Sequence, residues 1–314
     1  MDALGLTKPP VKLRFEIENL HAPILTLPVP SNILASISGG RTSMLMAKLM
    51  KEMPEYNRHN LLFAFSNTGK EKEATLEFVE RCDREFKLGV HWVEAKVDPE
   101  FGVGTTYNEV DFKTADRQGK PFEQMIAKFG IPNQSFKHCS RELKFRPLSA
   151  FAKDYFKTAS FRTALGMRLD EARRAKYHSP LYLYPFLDMN VMVQDVRAFW
   201  NSYHFDLALK DYEGNCDLCW KKSVRKKLTL ISENPTMPAW WIEMERRYGW
   251  LQISHRQKLT APCVFHRNNV STEELIKQAQ TEDFAKVTDP FYDEEEACAC
   301  SAGEPLNEAE ENEG

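Results

Sequence analysis

The chain has 314 residues, of which 42% are hydrophobic and 28% charged, a composition typical of a soluble globular protein. No apolar run approaches the roughly 18 residues of a membrane-spanning helix, and no secretion signal is recognisable, so we expect a cytoplasmic protein without a membrane partner. From Asp289 onward there are ten acidic and no basic residues, which leaves +7 on residues 1–288 of a chain whose net charge is −3. A basic body suits an anionic substrate, from a nucleotide to a nucleic acid. A soluble protein with a disordered acidic tail would have the same charge distribution.

The first half of the chain alternates predicted strands and helices. Residues 1–30 are rich in proline and predict an irregular arm. The apolar runs and helical patterns that follow predict strand 33–37, helix 42–52, strand 60–66, helix 71–86 and strand 90–94. This order is typical of an α/β fold with a doubly wound, Rossmann-like parallel sheet and right-handed crossovers.

The second half is less regular. Residues 96–132 predict an insertion that forms a lid, and the next elements are a helix after Ser140, a strand over 159–167, a helix over 193–203 and helical structure over 220–250. We therefore expect four parts: the arm 1–30, an α/β nucleotide-binding domain 31–210, a helical region 211–288 and a flexible acidic tail 289–314.

One stretch between the first strand and its helix carries two glycines and four hydroxyl residues. Glycines at a strand-to-helix turn expose backbone N–H groups at the positive end of the helix dipole, which predicts a phosphate-binding loop. An ordinary turn with a Ser/Thr cap is the alternative that the stretch alone leaves open. The candidate residues are Ser36, Ser38, Gly39, Gly40, Arg41, Thr42 and Ser43.

Seven cysteines without a recognisable secretion signal indicate reduced thiols, metal ligation or redox chemistry rather than a disulfide framework. Cys216 and Cys219 form a CxxC pair, and Cys298 and Cys300 a CxC pair in the acidic tail. A single CxxC suits a zinc site, a redox dithiol or an incidental pair. Cys82 lies in a helical pattern, so we expect it in the core.

Five motifs in one order resemble those of the phosphoadenosine phosphosulfate (PAPS) reductase family, within the PP-loop, adenine nucleotide α-hydrolase superfamily. The similar segments are Ser38-Gly39-Gly40-Arg41-Thr42-Ser43 (SGGxDS), the turn Asn67-Thr68-Gly69-Lys70-Glu71, the segment His138-Cys139-Ser140-Arg141-Glu142-Leu143-Lys144 (CCxxRK), the run from Gly166 to Arg174 (GxRxxESxxR) and Gly214-Asn215-Cys216-Asp217-Leu218-Cys219 (GCxxC). The resemblance covers roughly residues 31–225.

The resemblance implies an adenine nucleotide ligand: ATP, adenosine phosphosulfate (APS) or PAPS. Besides the loop, it implies nucleotide contacts from Asn67, Thr68, Gly69, Glu71, Gly166, Arg168, Glu171, Arg173 and Arg174. Arg168 and Lys144 can give charge-assisted contacts to a phosphate or sulfate. We expect both, together with Cys139, in the catalytic machinery. Thr42 stands where ATP-cleaving members carry an acid that helps hold magnesium, which disfavours magnesium-ATP chemistry.

The resemblance also implies roles for the cysteines. Family members with a 4Fe-4S cluster use a CC pair and a distant CxxC, which here correspond to Cys139, followed by Ser140, and to Cys216 and Cys219. The fourth iron position would fall to Cys263, to substrate or to sulfide, and zinc is the second choice of metal. Members without a cluster use a cysteine in a flexible C-terminal segment, for which Cys298 and Cys300 are candidates, although the Gly-x-His of that segment is missing.

We therefore expect a PAPS reductase-like enzyme that reduces or transfers sulfur, served by an electron donor such as thioredoxin. The alternative is an enzyme of the same superfamily that inserts sulfur into nucleic acid with ATP, similar to the DNA phosphorothioation or tRNA thiolation proteins. A third reading is a non-catalytic relative that binds a nucleotide or nucleic acid.

Overall fold

The computed structural model describes residues 15–18, 22–176, 179–214, 216–252, 259–281 and 283–287. Within these ranges no helix has the length and apolar character needed to cross a membrane. The helices are α1 (Pro23–Thr26), α2 (Arg41–Glu52), α3 (Pro54–Asn57), α4 (Glu73–Phe86), α5 (Lys120–Phe129), α6 (His138–Ser140), α7 (Arg146–Phe156), α8 (Pro185–Asp188), α9 (Val193–Ser202), α10 (Val224–Glu233), α11 (Ala239–Tyr248) and α12 (Thr272–Thr281). A π-helix spans Arg141–Phe145, and 3₁₀ turns span Leu169–Arg174 and Arg267–Asn269.

The strands are β1 (Asn32–Ile37), β2 (Asn60–Asn67), β3 (His91–Lys96), β4 (Thr106–Val110), β5 (Arg162–Ala164) and β6 (Tyr182–Leu183), and they form one sheet in the order β4-β3-β2-β1-β5-β6. β1 is parallel to β2, with Ile37 opposite Phe65, and also to β5, with Ala35 opposite Ala164. β6 is parallel to β5. The predicted α/β fold is therefore confirmed for the described part of the chain.

The sheet is mixed rather than wholly parallel, because β4 runs antiparallel to β3, with Trp92 opposite Val110. The connection over residues 97–105 contains Gly102 and Gly104 and is shorter than the crossover of about a dozen residues that a parallel neighbour requires. The predicted insertion over 96–132 thus contains an edge strand and helix α5.

The chain divides into two compact units. The first, unit 1, comprises residues 1–65, 74–91 and 152–208, and the second, unit 2, comprises residues 66–73, 92–151 and 209–314.

In unit 1, apolar residues of β1 and α2 are buried, including Ile33, Ile37 and Leu45. α4 buries Cys82, as predicted, and contributes rings to an aromatic cluster. In that cluster, Phe78 lies 4.9 Å from Trp200 and Phe86 lies 6.4 Å from Phe205, measured between ring centroids. This packing explains why the amphipathic pattern of α4 is readable in the sequence.

In unit 2, the core is built mainly from helix faces. One buried apolar cluster consists of Ala95, Val97, Phe122, Met125, Ile126, Ile131, Leu143, Leu218, Leu228, Ile231, Trp241, Met244, Phe265 and Leu275. Helix α5 begins after Gly119 and ends at Gly130, both at positive φ, and carries Pro121 in its first turn. These start and stop residues are the ones that helix ends favour.

Candidate functional site

In unit 1, the loop after β1 depends on Gly39. Its φ of +80° lies in the left-handed region, and a Cβ at this position would come within 2.5 Å of Thr75 Cγ2. Gly40 has an extended conformation and is the N-cap of α2, so no side chain caps the helix. Glycine at these two positions lets the loop fold tightly and leaves the first turn of α2 open to an anion.

Ser43 holds the loop together through its hydroxyl. Its Oγ accepts from the backbone N–H of Ser38 at 3.2 Å and from the Ser38 hydroxyl at 3.0 Å, and it donates to the Gly40 carbonyl at 3.0 Å. Ser36 precedes the loop and is buried at the end of β1. The predicted hydroxyls of Ser38 and Ser43 therefore shape the loop.

Arg41 makes contacts within unit 1 that sequence reasoning missed. Its Nε donates to Asp206 Oδ1 at 2.7 Å and its Nη2 to the Leu207 carbonyl at 2.7 Å. The Trp200 indole N–H donates to the Arg41 carbonyl at 3.0 Å. This side chain anchors the loop to the segment after α9.

Arg168 reaches the same loop from the chain that follows β5. It is 8% exposed, and its Nη1 donates to Thr42 Oγ1 at 3.3 Å. Asp170 accepts from its Nε at 3.1 Å and from its Nη2 at 2.8 Å. Gly166 allows the close approach, since a Cβ there would meet Ser43 Cα at 3.3 Å. The Arg168 side chain opposite the Asp170 carboxylate holds the pKa of that carboxyl below its ordinary value, against the opposing effect of burial.

The remaining charged residues of the 166–174 motif differ in their surroundings. Glu171 pairs with Arg174 at 2.7 Å and with Arg168 at 3.3 Å. Arg173 is exposed. The structure thus joins Gly166, Arg168 and Thr42 at one place.

The position of this loop in the sheet favours ligand binding. β1 lies between β2 and β5 in the sheet. The strands that follow β1 in sequence are therefore added on one side of it, and β5 is later added on its other side. Both β1–β2 and β1–β5 are parallel. Loops at the carboxyl ends of strands that flank such a reversal are the usual place for a ligand in open α/β sheets.

In unit 2, the predicted nucleotide residues Asn67 and Gly69 are used internally. The Asn67 amide donates to Glu94 Oε1 at 2.6 Å and to the Asp116 carbonyl at 2.8 Å, and its Oδ1 accepts from the Gly69 N–H at 3.2 Å. Gly69 has a φ of +78°, and a Cβ there would overlap Asp116 Oδ1. Burial raises the pKa of the Glu94 carboxyl. These contacts fix the turn after β2.

A pocket in unit 2 brings together three of the predicted cysteines. Cys139, Cys216 and Cys219 come from two distant segments of the chain and all line it. The complete lining is Thr68, Phe122, Pro132, Cys139, Ser140, Leu143, Lys144, Cys216, Cys219, Trp220, Trp241 and Phe265. We call it the thiol pocket.

One short segment, formed by α6 and the π-helix that follows it, contributes four lining residues. Their positions, 139, 140, 143 and 144, are one and four apart in sequence, which places them on one face of a helix. Cys139, Ser140, Leu143 and Lys144 all reach the thiol pocket. The Leu143 carbonyl accepts from the Ser66 hydroxyl at 2.7 Å.

Polar residues at the thiol pocket form a chain of contacts. Lys144 Nζ lies 3.7 Å from Glu71 Oε1, with side chains 9% and 2% exposed. Glu71 Oε2 accepts from the Thr68 hydroxyl at 2.7 Å and from its N–H at 2.8 Å. The Thr68 Oγ1 lies 3.7 Å from Cys216 Sγ.

Burial favours the protonated form of two of these thiols, Cys216 and Cys139. It raises the pKa of Cys216 to about 12, helped by the negative charge of Glu71 and opposed by Lys144. It also raises the pKa of Cys139, opposed by Lys144 and Lys221. Metal binding would therefore have to displace protons from these groups.

As placed, no three His, Cys, Asp or Glu side chains of the described residues converge closely enough to hold a metal ion. Three soft thiols on one pocket are nevertheless the donor set that iron–sulfur clusters and zinc prefer. Cys263 belongs to unit 2 but is not among the residues that line the thiol pocket. Cys298 and Cys300 lie outside the described residues.

The aromatic lining of the thiol pocket was not anticipated. Phe122 and Trp241 pack with ring centroids 5.7 Å apart, and Trp241 and Phe265 with centroids 4.7 Å apart. The sequence signal was present in the Trp240-Trp241 pair and in Phe265, which follows Cys263 closely. Their shared location depends on long-range packing that no local pattern specifies.

No family model matches the sequence. Over 197 residues the chain is 30% identical to a protein of Escherichia phage lambda described as "uncharacterized nin region protein ORF290". The match spans 62% of this chain and 67% of the phage protein.

Proposed function

We propose that this chain, which belongs to the family of the phage lambda nin region protein ORF290, binds an adenine nucleotide and reduces or transfers sulfur as a PAPS reductase-like enzyme. The relative's name specifies no activity, so the proposal depends on this chain's own residues. The observation that carries it is that Cys139, Cys216 and Cys219 line one pocket.

The nucleotide would bind at the loop after β1. Support comes from Gly39 and Gly40, from the uncapped first turn of α2 and from Arg168 beside Thr42. Backbone N–H groups and a guanidinium are the usual partners of phosphate oxygens. We accordingly propose that the α/β fold is of the doubly wound PP-loop type.

Cys139, Cys216 and Cys219 would hold a 4Fe-4S cluster, with zinc as the second choice. A cluster, when bound, supplies reducing electrons or a coordination position for sulfur. Lys144 places a positive charge at the thiol pocket, where it favours an anionic substrate, and its partner Glu71 orients it. Aromatic side chains, among them Phe122, Trp241 and Phe265, form much of the rest of the lining.

Sulfite release tests the reaction. With a thioredoxin system as electron donor, we expect the protein to release sulfite from APS or PAPS, and we expect Cys216→Ala to abolish the release. Cys263→Ala is the matched control and should retain it. Absence of sulfite with both sulfonucleotides would contradict the reductase proposal.

ATP-dependent sulfur insertion into nucleic acid is the second candidate. It is favoured by the presence of three cysteines at the pocket without Cys263, because the resemblance associates a three-cysteine cluster with that chemistry. Its test is ATP cleavage stimulated by tRNA or DNA in the absence of a sulfonucleotide. Nucleotide binding with neither activity would instead favour a non-catalytic relative.

A further inference from the structure

Three alternate residues of the turn after β2 contact the CxxC segment, a name we give to residues 213–219. Thr68 Oγ1 lies 3.7 Å from Cys216 Sγ, Lys70 Nζ lies 3.6 Å from Asp217 Oδ2, and Lys72 Nζ lies 3.2 Å from Glu213 Oε1. Both ion pairs are well shielded, with side-chain exposures of 12% and 16% in the first and 22% and 19% in the second. All these residues belong to unit 2.

Further contacts hold the same segment. Lys70 Nζ also stacks over the Trp240 ring, 4.9 Å from its centroid. The buried Lys222 donates to the carbonyls of Asp217 at 3.1 Å and Glu213 at 3.4 Å. The segment is therefore held by Lys222, which lies between it and α10, and by Lys70 and Lys72 of the turn after β2.

We propose that Lys70 and Lys72 are positioning residues that hold the Cys216–Cys219 segment in place at the thiol pocket. Glu71, between them, pairs with Lys144, whereas the two lysines form ion pairs with Asp217 and Glu213. The inference rests on the proposed role of the thiol pocket.

The rate at which N-ethylmaleimide labels Cys216 in the protein as purified measures this positioning, with Cys263 as an internal reference. Lys70→Gln combined with Lys72→Gln should raise the labelling rate of Cys216 about three- to tenfold, because two partly buried ion pairs are lost, and should leave Cys263 unchanged. Lys70→Arg with Lys72→Arg keeps both charges and should label at the original rate. Arg246→Gln, which removes an exposed ion pair with Glu273, is the matched control.

An unchanged labelling rate in the Gln double variant would overturn the proposal. An equal rise at Cys216 and Cys263 would also overturn it, because the lysines would then stabilise unit 2 as a whole. Failure of the proposed function would be seen separately, as absence of sulfite release and of bound metal, and would leave the labelling comparison interpretable.

Discussion

Asp188 is a buried carboxyl, 5% exposed, in unit 1. Burial raises its pKa to about 7, and the nearby Tyr56 hydroxyl acts in the opposite direction. Between the ordinary aspartate pKa of about 4 and this value, the folded state binds a proton that the unfolded state does not. The contribution of this carboxyl to the free energy of unfolding should therefore be most favourable below about pH 4. It should become less favourable by a few kcal/mol as the pH rises from about 4 to about 7.

Urea unfolding at several pH values measures this contribution. Asp188→Asn should remove that part of the pH dependence, whereas Glu77→Gln, on the exposed side of α4, should retain it. An identical pH profile in Asp188→Asn and the unmodified protein would contradict the assignment.

Arg168 differs from Arg173, five residues further along the same motif, in burial and contacts. We expect Arg168→Lys to weaken adenine nucleotide binding about tenfold, because an ammonium group cannot reproduce the paired contacts of a guanidinium. Arg173→Lys, at an exposed position, should leave the affinity unchanged. Equilibrium titration with a fluorescent adenine nucleotide measures both, and equal losses in the two variants would argue against Arg168 as the specific phosphate contact.

The loop after β1 offers a matched pair of glycine substitutions. Gly39→Ala should lower the free energy of unfolding by about 1–3 kcal/mol, because it forces a side chain into positive φ and against Thr75. Gly40→Ala should cost less than about 1 kcal/mol, since Gly40 has negative φ and a Cβ there would come no closer than 3.7 Å to Ser38 Oγ.

Nucleotide affinity distinguishes the effect of a substitution on the folding of this loop from its effect on direct contact with the ligand. Gly40→Ala should weaken binding although the protein stays folded, because the added methyl keeps phosphate oxygens away from the backbone. Full affinity in Gly40→Ala would show that the ligand does not approach the loop at this residue.

Elements with strong local patterns were predictable, and those that depend on distant partners were not. Strand 33–37 and helix 42–52 correspond to β1 and α2 with shifts of one residue. The strand predicted over 159–167 is shorter in the structure, where β5 spans only Arg162–Ala164, because its length is set by pairing with β1 and β6. The π-helix Arg141–Phe145 has no sequence signal that separates it from the predicted α-helix.

For the chain as a whole, the alternation of strands and helices indicated the α/β class, and the short connection to β4 made the sheet mixed. The cysteines were identifiable as candidates from their spacing. Their convergence on one pocket with Phe122, Trp241 and Phe265 was not, since it results from packing among segments that are distant in the sequence. The acidic tail, residues 289–314, lies outside the described residues, so its predicted flexibility stays a prediction.

The thiol pocket is the basis of the proposed chemistry, and purification without oxygen followed by an absorption spectrum and an iron determination tests it most directly. We predict a brown protein with about four irons per chain. The colour should be lost in Cys216→Ala and kept in Cys263→Ala, because only the first of these cysteines lines the pocket. A colourless protein without bound metal, or a brown protein whose colour survives Cys216→Ala, would contradict the account.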